Sequence, residues 1–516
     1  MKNKYLIKSQ DWNEASLEKA WDVIKKLAAK YDLDYYEPQF EIVTYEQMIE
    51  AYTHIGLPTY FNHWTLGKDY LETAHDYAHG NCGLAYEMII NSDPAVCYLL
   101  NTNTYLEQLV VMCHAAVGHS NFFKNNYLFK TFTNPKTIVD YMLYAKEFIA
   151  NMENDDSYGV DGVELFLDNC FILSKYGVDS YLKAEKSYKD LVQDKKNYQE
   201  YIEKEKNGFW GAFTPYIDSL HEYTKDEVVP TDNILEFIEK YSPLLTPEER
   251  ELMNIFRNIQ QYFWCQSHTK VMNEGWASFW HYTLLTDLHK EGFIRDGEFL
   301  EALEMHTGVC CQRHQDTPIA SGSINPYKIG FETFKALRRC CENPTEEDKQ
   351  DFPHLAGTDW VKSLKEVANN FKDESFLRQY FPASVIKEMG IGVAYIEQKQ
   401  SEWGSFVDGV ITATAEDTDY VRKVMSNLYS FDYNFPRAYV KEYNPSMNKI
   451  SVEVCLYDDK LLYSKDHYKD CLQEAINTFW SSDISSARYL YVKKESGMLD
   501  MEHINYWKKF NADEDI

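Results

Sequence analysis

The sequence predicts a mainly α-helical body over residues 1–390, with one small β-hairpin, followed by a small C-terminal α+β domain over residues 391–516. Two observations predict this organisation. Through most of the first 390 residues, apolar side chains recur at helical spacing, and only two short runs are strand-like. After about Gly392, alternating apolar segments and helical segments follow one another, which is typical of a small α+β domain.

The composition narrows the class of protein. The chain has 516 residues and a net charge of -29, which argues against nucleic-acid or anionic-membrane partners because both require a basic surface. A basic protein partner is compatible with this charge. The first ten residues are too polar for a signal peptide, no stretch is long and apolar enough to span a bilayer, and the 11 cysteines are scattered. We therefore expect an acidic cytoplasmic protein with reduced thiols.

The first part of the chain predicts two helices, Glu14–Lys30 and Tyr45–Thr53, and then a histidine-containing segment. His75 and His79 have the four-residue spacing of a helical metal pair, but the segment is polar and lacks an acid in the general-base position. We interpret these two as solvated or capping residues, and His63, which lies between aromatic residues, as a core histidine.

The hairpin is predicted from two apolar runs, Leu84–Ile90 and Ala95–Leu100, which flank the turn residues 91–94. A helix is predicted to start at Asn103 or Thr104, because Glu107 then stands in the capping-box position. This helix carries His114 and, just past Gly118, His119. We expect it to stop or kink near Gly118, so that His119 turns back towards His114.

Helical patterns continue along most of the remaining body, including a charged segment that predicts a surface arm. They cover residues 136–181, the surface arm Tyr188–Glu205, Ile234–Tyr241, Pro247–Trp264, a helix ending near Gly292, a helix starting at Asn325-Pro326 and further helices to about Glu388.

The stretch Val271–His281, VMNEGWASFWH, combines an acid and a histidine with large apolar side chains. In a helix, Glu274 and His281 share one face because seven residues make nearly two turns. A carboxylate and an imidazole rarely enter a core unless something pairs with them, which indicates a polar network or a metal ion.

The C-terminal domain is predicted to follow the order β-α-β-β-α-β, which is that of a ferredoxin-like unit. Its elements are Val407–Ala413, Glu416–Leu428, Arg437–Tyr443, Lys449–Tyr457, Asp466–Trp480 and Ala487–Lys493.

Two motifs, HAAVGH and NEGWASF, together resemble the zinc site of gluzincin metallopeptidases, so we describe the helical body as degenerate gluzincin-like. The resemblance implies that His114, His119 and Glu274 bind a divalent metal, with zinc the expected ion. His281 would orient or replace a ligand. Tyr327 or His306 would steady a substrate.

The gluzincin pattern is not complete. The two histidines are five residues apart rather than four, which turns them roughly 140° from each other on an α-helix. Ala115 occupies the position of the general-base glutamate. A metal-dependent hydrolase would need another base, and Glu87 and Glu107 are the candidates.

Longer segments resemble the stage V sporulation protein R (SpoVR) family across Tyr60–Pro353, with KDESF near Lys372 extending the match. They are YFNHWTLGKDY, GLAYEMIINSDP, HAAVGHSNFFKNNYLF, VMNEGWASFWHYT, SGSINPYKIGF and NPTEEDKQDFP. One departure is the segment beginning at His306, which reads HTGVC where the family has H-T/S-x-V-V.

The family resemblance implies a cytoplasmic bacterial protein that acts in spore cortex formation or, in bacteria that do not sporulate, in stationary-phase and stress physiology. The implied partners there are a PrkA-type serine kinase and a YeaH/YhbH-type protein. Two hypotheses follow. Either the histidines and Glu274 form a metal-dependent hydrolytic site, or they form a buried polar network in a non-catalytic regulator or scaffold for the kinase.

Overall fold

The computed structural model describes the ranges 4–7, 11–53, 68, 71, 87–180, 232–311, 324–391, 393–400, 406–413, 418–430, 437–444, 449–457, 465–480, 488–492 and 507–510. His63, His75, His79 and the predicted surface arm Tyr188–Glu205 lie outside the described residues. The structure is mainly helical with a small mixed sheet, which confirms the coarse fold-class prediction.

The helices are named here in chain order. They are α1 (Glu14–Lys30), α2 (Tyr45–Thr53), α3 (Tyr105–Val111), α4 (Ser120–Asn125), α5 (Tyr127–Phe132), α6 (Ile138–Glu153), α7 (Gly159–Ile172), α8 (Ile234–Tyr241), α9 (Pro247–Ser267), α10 (Lys270–Lys290), α11 (Asp296–Val309), α12 (Pro326–Glu342), α13 (Glu346–Asp351), α14 (Trp360–Asn370), α15 (Asp373–Tyr380), α16 (Ala383–Glu388), α17 (Thr418–Leu428) and α18 (Lys465–Trp480). A π-helical segment, Met112–His119, connects α3 to α4, and a short 3-10 helix spans Ser174–Tyr176.

Among the described residues, the strands form three sheets. They are β1 (Pro38–Val43), β2 (Glu87–Ile89), β3 (Ala95–Leu100), β4 (Val393–Gln400), β5 (Phe406–Ala413), β6 (Arg437–Asn444), β7 (Lys449–Tyr457), β8 (Arg488–Val492) and β9 (Trp507–Phe510). The predicted hairpin is present as β2 and β3, which pair antiparallel with Glu87 opposite Leu99. A strand that was not predicted, β1, lies parallel to β3 on its other side.

The chain divides into two compact units, each built from two segments. The first contains Met1–Ser157 and Tyr262–Asn434, and the second contains Tyr158–Gln261 and Phe435–Ile516. Residue 390 lies inside the first unit, and the domain boundary between residues 390 and 391 stays a prediction. Within this unit α17 packs on α15, and Arg422 of α17 forms an ion pair with Asp351 of α13 at 2.8 Å.

The predicted ferredoxin-like unit is not confirmed. Its first strand, β5, pairs with β4 in a two-stranded sheet, whereas β6, β7, β8 and β9 form a separate four-stranded sheet. In the second unit, α18 packs on α7 through Phe166 and Phe479, whose ring centroids are 5.0 Å apart. Phe237 of α8 stacks on Trp480 at 5.6 Å. This core therefore joins residues that are far apart in sequence.

The first unit is organised around α10. Trp276 and Trp280 are fully buried, and the Trp276 indole nitrogen donates a hydrogen bond to Oδ1 of Asn121 at 2.9 Å. The Trp276 ring also packs edge-on against the Phe334 ring of α12, with the ring centroids 5.0 Å apart. The indole therefore joins α4, α10 and α12, because its apolar body fills the core while its N–H is satisfied.

The N-termini of two helices matter for the site. One is capped by neighbouring residues, and the other is capped by a residue that is distant in sequence. At the start of α3, Thr104 and Glu107 form the predicted capping box, with the Thr104 backbone N–H donating to Glu107 at 2.5 Å. At the start of α10, the carboxylate of Asp373 accepts hydrogen bonds from the backbone N–H groups of Val271 and Met272 at 2.8 and 2.9 Å. The first turn of α10 would otherwise leave these donors without intrahelical partners.

Candidate metal centre

The π-helical segment brings His114 and His119 onto one face. The expected stop at Gly118 is not observed: all eight residues of the segment continue as helix and lead into α4. In a π-helix the backbone hydrogen bonds run from residue i to i+5, so side chains five residues apart lie nearly above one another. The two imidazole centroids are 4.7 Å apart. The five-residue spacing would point the two imidazoles apart on an α-helix, but on this π-helical segment it brings them together.

The close packing of the π-helical segment on α10 depends on a glycine. A Cβ placed on Gly118 would lie 2.6 Å from Cα of Ala277, a distance that backbone atoms cannot accommodate without moving. Gly118 thus permits the contact that sets His119 against Glu274, rather than ending the helix as the sequence predicted.

Glu274 completes a group of three side chains that could hold a metal ion. Its Oε2 atom lies 3.2 Å from Nε2 of His119 and 3.7 Å from Nε2 of His114, and one ligand atom from each residue lies within 4.8 Å of the others. Ligands of a tetrahedral zinc ion, each at about 2.0–2.1 Å from the metal, are separated by roughly 3.3 Å. The observed separations are close to that spacing.

The Glu274 carboxylate lies within ion-pair distance of both imidazoles. Within the described parts of the chain, Oε2 of Glu274 is buried and has no hydrogen-bond partner, although His119 is near. Buried polar atoms nearly always have a polar partner, so an oxygen in this environment is suited to contact an ion or a water molecule. The donor set of two imidazoles and one carboxylate therefore fits a divalent cation such as zinc.

The protonation states also suit metal binding. Burial lowers the pKa of His114 to about 4, so its imidazole is neutral at neutral pH and has a lone pair to share. Burial by itself would raise the pKa of Glu274, but His119 and His114 outweigh it and hold the pKa below its usual range. A neutral His114 imidazole beside an ionised carboxylate is a combination that a cation requires.

His281 lies on the same face of α10 as Glu274, as the seven-residue spacing predicted. Its Nδ1 is 2.7 Å from Nδ1 of His114, and its Nε2 is 2.7 Å from Nδ1 of His306. Both ring nitrogens are therefore engaged by other imidazoles, which is incompatible with His281 as a further ligand in this arrangement. The orienting role remains, because a ligand histidine usually hydrogen-bonds through its second nitrogen.

The other predicted site residues lie in different places. The Tyr327 ring, near the start of α12, stacks beside His114 with centroids 6.4 Å apart. His306 of α11 reaches the cluster through His281. The carboxylate of Glu107 caps α3 and is not brought to the three ligands, since Thr104 holds it. The backbone of Glu87 lies in β2, which packs against the π-helical segment.

Sequence reasoning missed two residues that position the site, Asn121 and Asp373. Asn121 accepts a hydrogen bond from the Trp276 indole of α10, and Asp373 caps this same helix, which carries Glu274. Burial raises the pKa of Asp373 to about 7, against the opposing effect of the backbone N–H donors. Asp373 stands in the KDESF segment that was noted in the sequence, but its partners are about a hundred residues away, and no local pattern identifies them.

These features define a mainly helical protein with a candidate two-histidine, one-glutamate metal centre. The SpoVR family, described as SpoVR like protein, matches residues 11–433, and the chain belongs to this family. A relative from Escherichia coli (strain K12), named uncharacterized protein YcgB, is 42% identical over 381 residues, which is 73% of this chain and 74% of the relative. No solved structure matches the chain. Of the helices that the structure describes, none is both long and apolar enough to cross a membrane.

Proposed function

We propose that this protein is a divalent-metal protein, with zinc the fitting ion, whose centre has the ligand pattern of a hydrolytic site. The observation that carries the proposal is the buried Oε2 atom of Glu274, which lies between two imidazoles without a hydrogen bond from the described residues. His114, His119 and Glu274 would hold the ion. Three protein ligands are typical of catalytic zinc sites, whereas structural sites have four.

A cation bound there would supply Lewis-acid activation of water or of a carbonyl group. The chain's own residues supply orientation. His281 fixes the ring of His114 through the 2.7 Å contact. Tyr327, whose ring lies beside His114, is the residue we expect to steady a substrate.

The general base is the part of the proposed hydrolytic site that differs most from the gluzincin pattern. Ala115 is fully buried in the position where gluzincins have glutamate, and Glu107 is held by its capping box. Glu87 remains our candidate base, because β2 packs against the π-helical segment that carries both histidines. We propose hydrolysis of an amide-type bond as the reaction class.

The family supports a physiological setting for this site. We propose that the protein acts in the bacterial cytoplasm, in spore cortex and cell-wall formation or in stationary-phase stress regulation. Ala115 favours a second candidate function, in which the same cluster stabilises a non-catalytic regulator or scaffold. Its partners would be a PrkA-type serine kinase and a YeaH/YhbH-type protein. The net charge of -29 is compatible with a basic docking surface on such a partner.

The metal is tested by Glu274→Gln, which preserves shape but replaces a carboxylate with a poor ligand. We expect wild-type protein to bind close to one equivalent of zinc and to lose thermal stability with chelator, because the ion stabilises the folded state by mass action. The variant should lose both properties. The matched control is Glu342→Gln, which removes only a surface ion pair with Arg338 and should behave as wild type. Equal metal content in wild type and Glu274→Gln would reject the ligand role.

A further inference from the structure

Three histidines form a continuous buried chain that starts at the candidate metal centre. His114, His281 and His306 have 4%, 2% and 8% of their surfaces exposed. Both nitrogen–nitrogen contacts are 2.7 Å, which is hydrogen-bond distance. The chain runs from the π-helical segment through α10 to α11, so it joins three separate helices.

Each contact needs one nitrogen that carries a proton and one that presents a lone pair. When all three imidazoles are neutral, only two proton orders satisfy both contacts. In the first, Nδ1–H of His114 donates to His281, and Nε2–H of His281 donates to His306. In the second, His306 donates to Nε2 of His281, and Nδ1–H of His281 donates to His114. No mixed order is allowed, because a neutral His281 has a single ring proton.

The two orders differ at the nitrogen that faces Glu274. In the first order, Nε2 of His114 presents a lone pair and can bind a cation. In the second order that nitrogen carries a proton and has no lone pair to offer a cation. The ligand capacity of His114 is therefore tied to the position of a proton on His306, although the total number of protons is the same.

We propose that His281 and His306 are positioning residues that act as one tautomer chain and keep Nε2 of His114 available to the metal. This inference rests on the metal centre proposed above. At the far end, His306 is influenced by Glu332, Lys328 and Lys335 of α12.

All three rings are more than nine-tenths buried, and burial disfavours a charged imidazolium, so the rings are neutral. Neutral rings are the condition for a chain with only two proton orders. The ring packing also restrains rotation at the outer end, since His306 packs edge-on against Phe331 with centroids 4.4 Å apart.

The first test is nitrogen NMR of the ring tautomers in full-length, histidine-labelled protein loaded with zinc. We expect His281 and His306 to carry their protons on Nε2 and His114 to carry its proton on Nδ1. A proton on Nδ1 of His281 would overturn the inference. This measurement uses wild-type protein, so it does not depend on the folding of any variant.

The second test compares two substitutions of His306 by chelator competition with zinc. His306→Asn keeps an acceptor oxygen near the place of Nδ1, whereas His306→Leu removes the acceptor. Loss of a residue that orients a ligand typically lowers metal affinity about 10–100-fold. We therefore expect His306→Leu to bind zinc about tenfold more weakly than wild type, and His306→Asn to bind it with near wild-type affinity. The control is His289→Leu, on α10 but outside the chain, where His289 pairs with Asp296.

The outcomes separate the two proposals. If wild-type protein binds no zinc, the proposed metal centre fails. If wild type binds zinc and His306→Leu binds it equally well, the centre stands and the tautomer chain is rejected. Weakened binding in both His306 variants, with equal thermal stability of the chelated proteins, would also reject the chain, because the acceptor atom would then not be the property that matters.

Discussion

Gly275 and Gly330 face each other across the contact between α10 and α12, and neither helix has room for a side chain there. A Cβ on Gly275 would lie 2.3 Å from Cα of Gly330, and a Cβ on Gly330 would lie 2.2 Å from the backbone oxygen of Val271. Glu274 immediately precedes this contact. The approach of the two helices therefore helps to set the position of the ligand carboxylate.

The first prediction is that Gly275→Ala destabilises the fold and disturbs the metal centre. The obstructing atoms are backbone, which cannot rotate away, so we expect a loss at the upper end of the overpacking range, about 3 kcal/mol or more. Urea unfolding measures the stability, and zinc affinity measures the site. The matched control is Gly297→Ala in α11, where a Cβ would meet no atom within 4 Å. That variant should be neutral or slightly stabilising, and equal losses in the two would contradict the packing argument.

The second prediction concerns the cap of α10. Asp373→Ala removes both acceptors for the backbone N–H groups of Val271 and Met272, and we expect a loss of about 1–3 kcal/mol. Asp373→Asn retains one acceptor oxygen and should lose less. Thermal melts of the chelated proteins give the comparison. If the alanine variant were as stable as wild type, the hydrogen bonds to α10 would not contribute to folding.

The third prediction is acid sensitivity of the metal-free protein. Burial lowers the pKa values of His114 and His306 to about 4, whereas an unfolded histidine titrates near 6.5. Between these values the unfolded chain binds more protons, so the free energy of unfolding decreases as the pH falls from about 6.5 to about 4. At about 1.4 kcal/mol per pKa unit, each histidine contributes on the order of 3 kcal/mol of this loss.

This sensitivity is measured by urea unfolding in chelator at several pH values. His306→Leu should show a shallower decrease over the same range, because it removes one of the titrating groups. Zinc should move the onset of the decrease to lower pH, since protons must then displace the metal. Asp373, whose pKa is raised to about 7, contributes in the opposite direction over this range. An equally steep dependence on pH in His306→Leu and wild type would therefore contradict the assignment of a neutral, buried His306.

The fourth prediction concerns truncation. A chain that ends at residue 390 removes Phe479 and Trp480, which pack on Phe166 of α7 and Phe237 of α8 in the second unit. We expect this protein to be insoluble or partly unfolded, because those apolar faces are then exposed. Supplying residues 391–516 in trans should restore solubility. A soluble truncated chain with a cooperative melt would show instead that residues 1–390 need no contact with the rest.

Local sequence signals determined the helical body, the β2–β3 hairpin and several helix starts. The Thr104–Glu107 capping box and Asn325-Pro326 work through hydrogen bonds and backbone restrictions within a few residues, so the sequence alone identifies them. The common face of Glu274 and His281 follows from helical geometry in the same way. The resemblance of HAAVGH and NEGWASF to gluzincin motifs pointed to the three residues, His114, His119 and Glu274, that the structure brings together.

Only the tertiary structure decided how those residues meet. The π-helical segment places His114 and His119, which are five residues apart, on one face. Gly118 allows this segment to pack against Ala277, which belongs to a helix far away in sequence. The role of His281 depends on His114 and His306, which occupy both of its nitrogens. The division into two units likewise depends on contacts between distant segments. The physical reason is common to all three: local patterns report the conformation of one segment, whereas close packing and hydrogen bonding between segments depend on what the rest of the chain places beside it.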